Sequence, residues 1–417
     1  MNDLQRRAGK ENGKEIVQRF KIFRSGSVWI VPSTKSGRKR YEVRLDPTNP
    51  SCACPDHAET GEKCKHIYAV EYHLGGQPGA EDLRSAGEQP KRPTYRQDWP
   101  RYNAAQTKEE EEFWQLAWNL CQTTSQKEYL RGRPPVPIGD ALLCSIMKVF
   151  STKSSRRVMS RLKSAYEDGY FEKPVTFNTM SEYLRKPELT PILNDLLIKS
   201  SLPVVPIETT FAIDSTGVAG SRFVRWTDIK YRGVTEHMWA KVHLMGGVKT
   251  HIITAALVLD KDASDVPQLP KLLHTTAQNF KVRQVCADTV YNSVRNQEAI
   301  DSIGAKAFIP FKSTHTGKRG GLFAEKFRQW KDDREYFLQN YHQRSNIETS
   351  IMMWKTSFGD GLRSRTEVAM RNELYCKLIC HNICCLIKAM YELDLGLEFS
   401  AATFRKDAAD ESILSPW

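Results

Sequence analysis

The 417-residue chain has no apolar leader at its start: its first residues are polar and basic, without the hydrophobic stretch of a secretory signal. It also lacks an uninterrupted apolar run. The longest candidate, residues 374–390, contains Lys377, His381, Asn382 and Lys388, which argues against a membrane-spanning helix of about 20 apolar residues. Ten cysteines are present, but they do not form the dense, evenly spread framework of a small secreted domain. These absences place the expected location in the cytosol, with metal binding or reduced core cysteine rather than disulfides. No internal repeat or low-complexity tract appears, which argues against solenoid architectures. Acidic residues are in deficit, 49 against 61 lysines and arginines, for a net charge of +12 and a pI near 9.1. Such a balance favours a polyanionic partner, nucleic acid first. The length exceeds what one hydrophobic core usually organises, so two or three domains are expected.

Composition changes along the chain mark the segments. Residues 27–45, SVWIVPSTKSGRKRYEVRL, hold two β-rich stretches around a Ser-Gly-basic turn. Residues 75–100 are rich in Gly, Pro and charge and read as a linker. From about 108 to 202 apolar residues recur at helical spacing, as in Phe113, Leu116, Ala117 and Leu120 or Leu142, Leu143, Ile146 and Val149. After Pro206 the pattern changes to apolar runs typical of buried strands: TTFAID, MWAKVHLM, HIITAALVL, RQVCAD and AKAFIP. Strands with helical stretches between and after them imply an α/β domain.

Cys52-Ala-Cys54, a nine-residue loop and Cys64-Lys-His66 supply three thiolates and one imidazole, the four N/S donors tetrahedral zinc prefers. His57 is a spare donor in the same loop. The segment resembles a SWIM zinc finger, in which C-x-C, a short loop and C-x-H follow a β-hairpin and precede a helix; CACPDH, CKH and IYAVEYHL match over roughly residues 20–75. The resemblance implies one structural Zn²⁺ and a nucleic-acid or protein partner. Arg38, Lys39 and Arg40 favour DNA.

Two acids end apolar runs: Asp214 after TTFAI and Asp288 after RQVCA. Buried strands seldom hold carboxylates without a reason, although a turn or helix-cap role would explain either one alone. In YHQRSNIETSIMMWK, Tyr341, Arg344, Glu348 and Lys355 lie at about 0°, −60°, −20° and −40° around a helix, one stripe. A carboxylate for metal, two cations for phosphate oxygens and an aromatic for stacking on a base make a DNA-facing surface.

That spacing, Tyr-x2-Arg-x3-Glu-x6-Lys, resembles the signature helix of insertion-sequence DDE transposases, and the likeness runs from about residue 207 to 393. It implies an RNase H-like mixed sheet of about five strands flanked by helices, with Asp214, Asp288 and Glu348 holding two Mg²⁺ (or Mn²⁺) for phosphoryl transfer. It further implies that Tyr341, Arg344 and Lys355 contact DNA, that the partners are transposon ends and target DNA, and that at least two protomers assemble on them. Asp288 and Glu348 are 60 positions apart, which leaves little room for the β-rich insertion some relatives carry. The expected layout is a SWIM-like module over 1–75, a linker over 76–105, a helical DNA-binding or assembly region over 106–205, the catalytic domain over 206–395 and a tail over 396–417. Two alternatives are a nuclease of this fold without strand transfer and a non-catalytic DNA-binding or zinc-mediated interaction protein derived from a transposase.

Other polar residues have simpler accounts. Alternation puts Lys241 and His243 on one strand face with Trp239, and Asp265 before Val-Pro reads as a helix N-cap. Cys376, Cys380 and Cys384 follow helical spacing, as core packing requires.

Overall fold

Alternating burial builds the first sheet: in β2 (Val28–Pro32) Trp29 and Val31 turn inward, and β3 (Arg40–Arg44) sets Val43 opposite Trp29. With β1 (Phe23–Ser25) and β4 (Ser51–Cys52) they form an antiparallel sheet in the order β1-β2-β3-β4. The hairpin expected over 27–45 is thus the centre of a four-stranded sheet. Two helices follow. α1 (Pro55–Thr60) opens with proline and with Cys54 as its cap, and stops at Gly61, whose φ of 65° suits a residue without Cβ. α2 (Lys65–Gly75) packs on β2 and β3 through Ile67 and Val70.

The structure, a computed structural model, describes residues 12–13, 15–17, 20, 22–25, 27–33, 40–46, 49–75, 98–126, 134–220, 239–260, 262–312, 315, 320–396 and 399. Arg38, Lys39, linker residues 76–97 and nearly all of the tail fall outside them. The chain divides into two compact units, Met1–Lys91 and Arg92–Trp417.

The second unit begins with helices α3 (Trp99–Gln122), α4 (Ile138–Phe150), α5 (Met159–Glu167), α6 (Phe177–Leu184) and α7 (Leu189–Ser201). Five strands follow: β5 (Thr210–Ala219), β6 (Trp239–Gly247), β7 (Ile253–Asp260), β8 (Gln284–Ala287) and β9 (Lys306–Phe308). They form one sheet in the order β7-β6-β5-β8-β9, antiparallel from β7 to β5 and parallel from β5 to β9, an RNase H-like arrangement. Each strand falls on one of the five apolar runs. The helices α8 (Leu269–Ala277), α9 (Val294–Asp301), α10 (Gly321–Asp332), α11 (Arg334–Tyr341), α12 (Ser345–Phe358) and α13 (Glu367–Leu393) flank it. Between Asp288 and Glu348, β9 is the sole strand among the described residues, and it belongs to this sheet.

α13 is buried nearly all round because it packs against α3, α4 and α7 as well as β7, so the preceding helices and the sheet share one core. Its polar side chains are matched. Asn382 accepts from Ile253 N at 2.8 Å and donates to Ile253 O and Ser200 Oγ, each at 2.8 Å. Cys376 and Cys380 are fully buried core cysteines. No helix among the described residues is long and apolar enough to cross a membrane.

Candidate functional site

In the first unit, β4 delivers Cys52, the entry to α1 delivers Cys54, and the entry to α2 delivers Cys64 and His66. All four are buried, and their donor atoms lie within 4.8 Å of one another, the one such group of three or more potential ligands among the described residues. His66 Nδ1 stands 3.9 Å from both Cys52 Sγ and Cys64 Sγ. Zinc bonds of about 2.3 Å to sulfur and 2.0–2.1 Å to nitrogen set a tetrahedral S–N edge of about 3.6 Å, so the donors fit zinc with only a small contraction. The Cys64 thiol is pushed down to about 3, first by the Cys52 hydrogen bond and also by that of His66, while the bond to Cys64 and burial push Cys52 up. Metal binding must therefore displace the protons that Cys52 and Cys54 hold. His57 lies outside this group: its Nδ1 is bonded to Glu62 O at 2.7 Å, and its backbone N donates to Cys54 Sγ at 3.4 Å.

In the second unit, the parallel pairing of β5 with β8 ends at Ile213 opposite Ala287. Asp214 and Asp288 are the residues that directly follow this last pair, Asp214 still within its strand and Asp288 at the start of the next turn. Asp214 lies in the middle of β5 rather than at its end, as the apolar run suggested. The strand continues because Ser215–Ala219 pair with β6, beyond the edge of β8. Asp214 Oδ1 accepts from Ser215 N at 2.8 Å, and Asp288 Oδ1 caps the next turn by accepting from Thr289 N at 2.7 Å. Burial raises the Asp214 carboxyl above the usual range; Ser215 N and Arg344 oppose the rise, and Glu348 and Asp288 add to it. The site therefore sets oxygen donors on neighbouring elements, with a cationic side chain beside them.

Arg344 supplies one cation. Its Nη1 is 3.6 Å from Asp214 Oδ2 and its Nη2 is 2.6 Å from Glu348 Oε1. The three carboxylates are not gathered within 4.8 Å of one another; the guanidinium bridges two of them. Tyr341 has Arg344 5.9 Å from its ring centroid, and burial, with Asp288 and Glu348 adding, raises its hydroxyl pKa. Lys355 Nζ donates to Thr216 Oγ at 2.6 Å and Gly217 O at 3.1 Å, which ties α12 to the strand carrying Asp214.

One continuous signature helix was expected. Instead Tyr341 ends α11, His342–Arg344 form a 3₁₀ turn, and α12 begins at Ser345. Side chains compete for the backbone there: Ser345 Oγ donates to His342 O and Asn346 Nδ2 to Gln343 O, each at 3.0 Å. The tighter turn still brings Arg344 to both acids.

A neighbouring cluster escaped the sequence reading. Asp265 does not cap a helix with its side chain, contrary to expectation; its φ of −73° and ψ of −42° are already helical. Its Oδ1 instead accepts from Ser215 Oγ at 2.7 Å, pairs with Lys241 Nζ at 2.9 Å and lies 3.4 Å from Nδ1 of the fully buried His243. Ser215 follows Asp214, so the cluster braces the strand at the site. Placement of Lys241 and His243 on one strand face was the sole signal in the sequence.

Residues 206–383, which contain all three acids, match the family described as transposase DDE domain, and residues 41–75, which contain the clustered Cys52, Cys54, Cys64 and His66, match the SWIM zinc finger. Among solved structures, the chain has a distant likeness to a piggyBac transposase synaptic complex with hairpin DNA, at 9% identity and a TM-score of 0.34, over 73% of this chain and 80% of that one. A pre-cleavage Mos1 transpososome is similar at 13% identity and a TM-score of 0.20, over 57% of this chain and 83% of that one. The chain therefore carries one segment that matches the SWIM zinc finger and a second that matches the transposase DDE domain.

Proposed function

We propose that this chain is a DNA transposase that cuts DNA at transposon ends and transfers the resulting strand into target DNA. The observation that carries the reading is that Asp214 and Asp288 directly follow the last paired residues of two adjacent parallel strands, with Arg344 ion-paired to both Asp214 and Glu348. Asp214, Asp288 and Glu348 would hold two Mg²⁺ or Mn²⁺ ions, which when bound supply activation of water or a 3′-OH and stabilisation of the leaving oxygen. Asp214 is set on a rigid strand held on both sides, Asp288 on a turn that its own carboxylate caps, and Glu348 on the first turn of a helix. Arg344 sits within reach of charge developing on a transferring phosphoryl group, and Lys355, held by Thr216, lies about two helical turns beyond Glu348 on the same helix, available to a DNA phosphate. Tyr341 packs beside Arg344 and offers a face for a flanking base. Two ends must be joined, so the working form is at least a dimer on DNA, acting in the cytosol.

Domain limits at 1–75, 76–105, 106–205, 206–395 and 396–417 are part of the proposal, with the helical region as a DNA-binding or assembly element. The test is a reaction of the purified chain with a labelled terminal fragment and a target plasmid in magnesium. Cleaved ends joined to plasmid support transposition; cleavage without joining assigns a nuclease, and DNA binding without cleavage assigns a non-catalytic DNA-binding protein.

A further inference from the structure

Away from the acids, a recess opens between the end of α4 and the loop 359–366 that leaves α12. Its lining includes Lys148, Thr152, Lys153, Arg363, Glu373 and Lys377: four cations against one carboxylate. The buried members are fixed. Glu373, 2% exposed, accepts from Arg363 N at 2.9 Å and Ser364 N at 2.7 Å, and Lys377, also 2% exposed, donates to Gly359 O and Gly361 O at 2.7 Å each. The loop is therefore pinned to α13 from both sides, and the carboxylate is already engaged.

Lys148 is different. It is only 7% exposed, yet its ammonium has no hydrogen-bond acceptor among the described residues; the nearest carboxylate oxygen, Glu373 Oε2, is 3.8 Å away. With one carboxylate at ion-pair distance and no hydrogen-bond acceptor, the Lys148 ammonium keeps its donors available to an external acceptor that enters the recess. Lys153 and Arg363 stand exposed at the rim and form no ion pair among the described residues. Thr152 adopts φ 52°, a strained conformation for a β-branched residue.

The recess is also tied to the candidate active site. Leu362 N donates to Ala219 O at 2.9 Å, and Gly361 bridges to Ala219 at the end of the strand that carries Asp214. Five residues of strand separate Asp214 from Ala219, about 17 Å at about 3.3 Å per residue. A DNA strand presents one phosphate per about 3.4 Å of axis, so that distance spans about five nucleotides.

We infer that this recess is a phosphate-binding site for the DNA backbone, with Lys148, Lys153 and Arg363 holding a phosphodiester about five nucleotides from the position of cleavage. The inference rests on the proposed function, and it predicts register: the recess fixes where along the duplex the acids act. Arg363 and Lys153 are exposed, so their replacement leaves the pinned loop intact.

The test measures binding of the full-length chain to a terminal DNA duplex over a salt series, for wild type, the double variant Lys153→Ala/Arg363→Ala, and the charge-retaining Arg363→Lys. Each phosphate contact contributes about 0.9 to the slope of log affinity against log salt. The double variant should lower that slope by up to about 0.9 and weaken binding at low salt at least tenfold, whereas Arg363→Lys should retain most of both. An unchanged slope and affinity in the double variant, with wild type binding DNA normally, overturns the recess and leaves the transposase reading standing. Failure of the wild type to bind DNA overturns both. Inorganic phosphate provides the remaining arm. If it raises the melting temperature of wild type but not of the double variant while DNA binding by the two is equal, the recess is a site for free phosphate and the DNA assignment is wrong.

Discussion

Stripping zinc from the full-length chain should unfold its first unit and leave the second standing. The core of the first unit consists, among the described residues, of Ile16, Ile22, Trp29, Val31, Val43, Ile67, Ala69 and Val70 together with Cys52, Cys54 and Cys64. Three of its core members therefore belong to the Cys/His cluster that would hold the zinc. Domains of ordinary size keep a net margin of about 5–15 kcal/mol. Structural zinc in finger peptides supplies about 10–16 kcal/mol at neutral pH, as much as that whole margin. Ligand placement makes the coupling direct: the cluster links β4 to the starts of both helices, so losing the ion disconnects all three. Because the thiols must lose protons to bind, acidification should release the ion as well. The assay is titration with a strong chelator, zinc release being followed with a metal-sensitive dye and unfolding by circular dichroism and limited proteolysis. One zinc per chain should appear in step with cleavage within residues 1–75. If one zinc is released while that segment keeps its protease resistance and its ellipticity, the coupling is wrong; if no zinc is present in freshly purified reduced protein, the site itself is wrong.

Other perturbations separate roles within the second unit. Lys355→Ala should lower DNA affinity and cleavage partially rather than abolish them, because its loss removes a contact to Thr216 and to phosphate but no carboxylate; complete loss of cleavage with an intact fold would count against this. Asp265→Ala should reduce turnover more than DNA affinity, since Ser215, Lys241 and His243 lose their shared acceptor beside Asp214; identical kinetics would remove the bracing role. Hydrogen bonding to Lys241 and Ser215 outweighs burial and depresses the Asp265 carboxyl, so its contribution to stability is present above the unfolded carboxylate pKa of about 3.9 and lost as pH falls through the folded value. Acid melts of wild type should show this loss, and melts of Asp265→Asn should show less of it. Gly247→Ala should destabilise by about 1–3 kcal/mol, because a Cβ there would lie 2.4 Å from Cδ of Glu208, a buried side chain held by Thr250 and Lys249; an unchanged denaturant midpoint would refute it.

Local patterns carried much of the architecture. The apolar runs around Phe211, Val242, Ala255, Val285 and Ala307 each became a strand, because buried strands are written as continuous hydrophobic segments. Cysteine and histidine spacing pointed to the four residues that the fold brings together, since all four lie within 15 positions of the chain. Contacts between distant segments were not legible. Asp265 is 50 positions from Ser215, and its carboxylate direction depends on a sheet the local sequence does not describe. Lys148 and Glu373 meet only because α13 packs on α4. The break between α11 and α12 arises from the polar side chains of Ser345 and Asn346 competing for carbonyls, a small local preference that helical periodicity hides. Asp214 looked like a strand end because its apolar neighbours stop there, whereas pairing with β6 carries the strand on to Ala219.

The central claim is that Asp214, Asp288 and Glu348 act as one metal-holding unit, and Glu348→Gln probes it most directly. The amide keeps the shape and one acceptor oxygen but removes the charge that helps hold a divalent ion and pairs with Arg344. In magnesium, on a verified terminal duplex, cleavage should fall below detection while the melting temperature and DNA affinity stay near wild type. Asp214→Asn and Asp288→Asn should match it, and double variants should be scarcely worse than single ones. A side chain that merely faces solvent on α12 would tolerate the change. Wild-type cleavage by the Glu348→Gln protein would contradict the account.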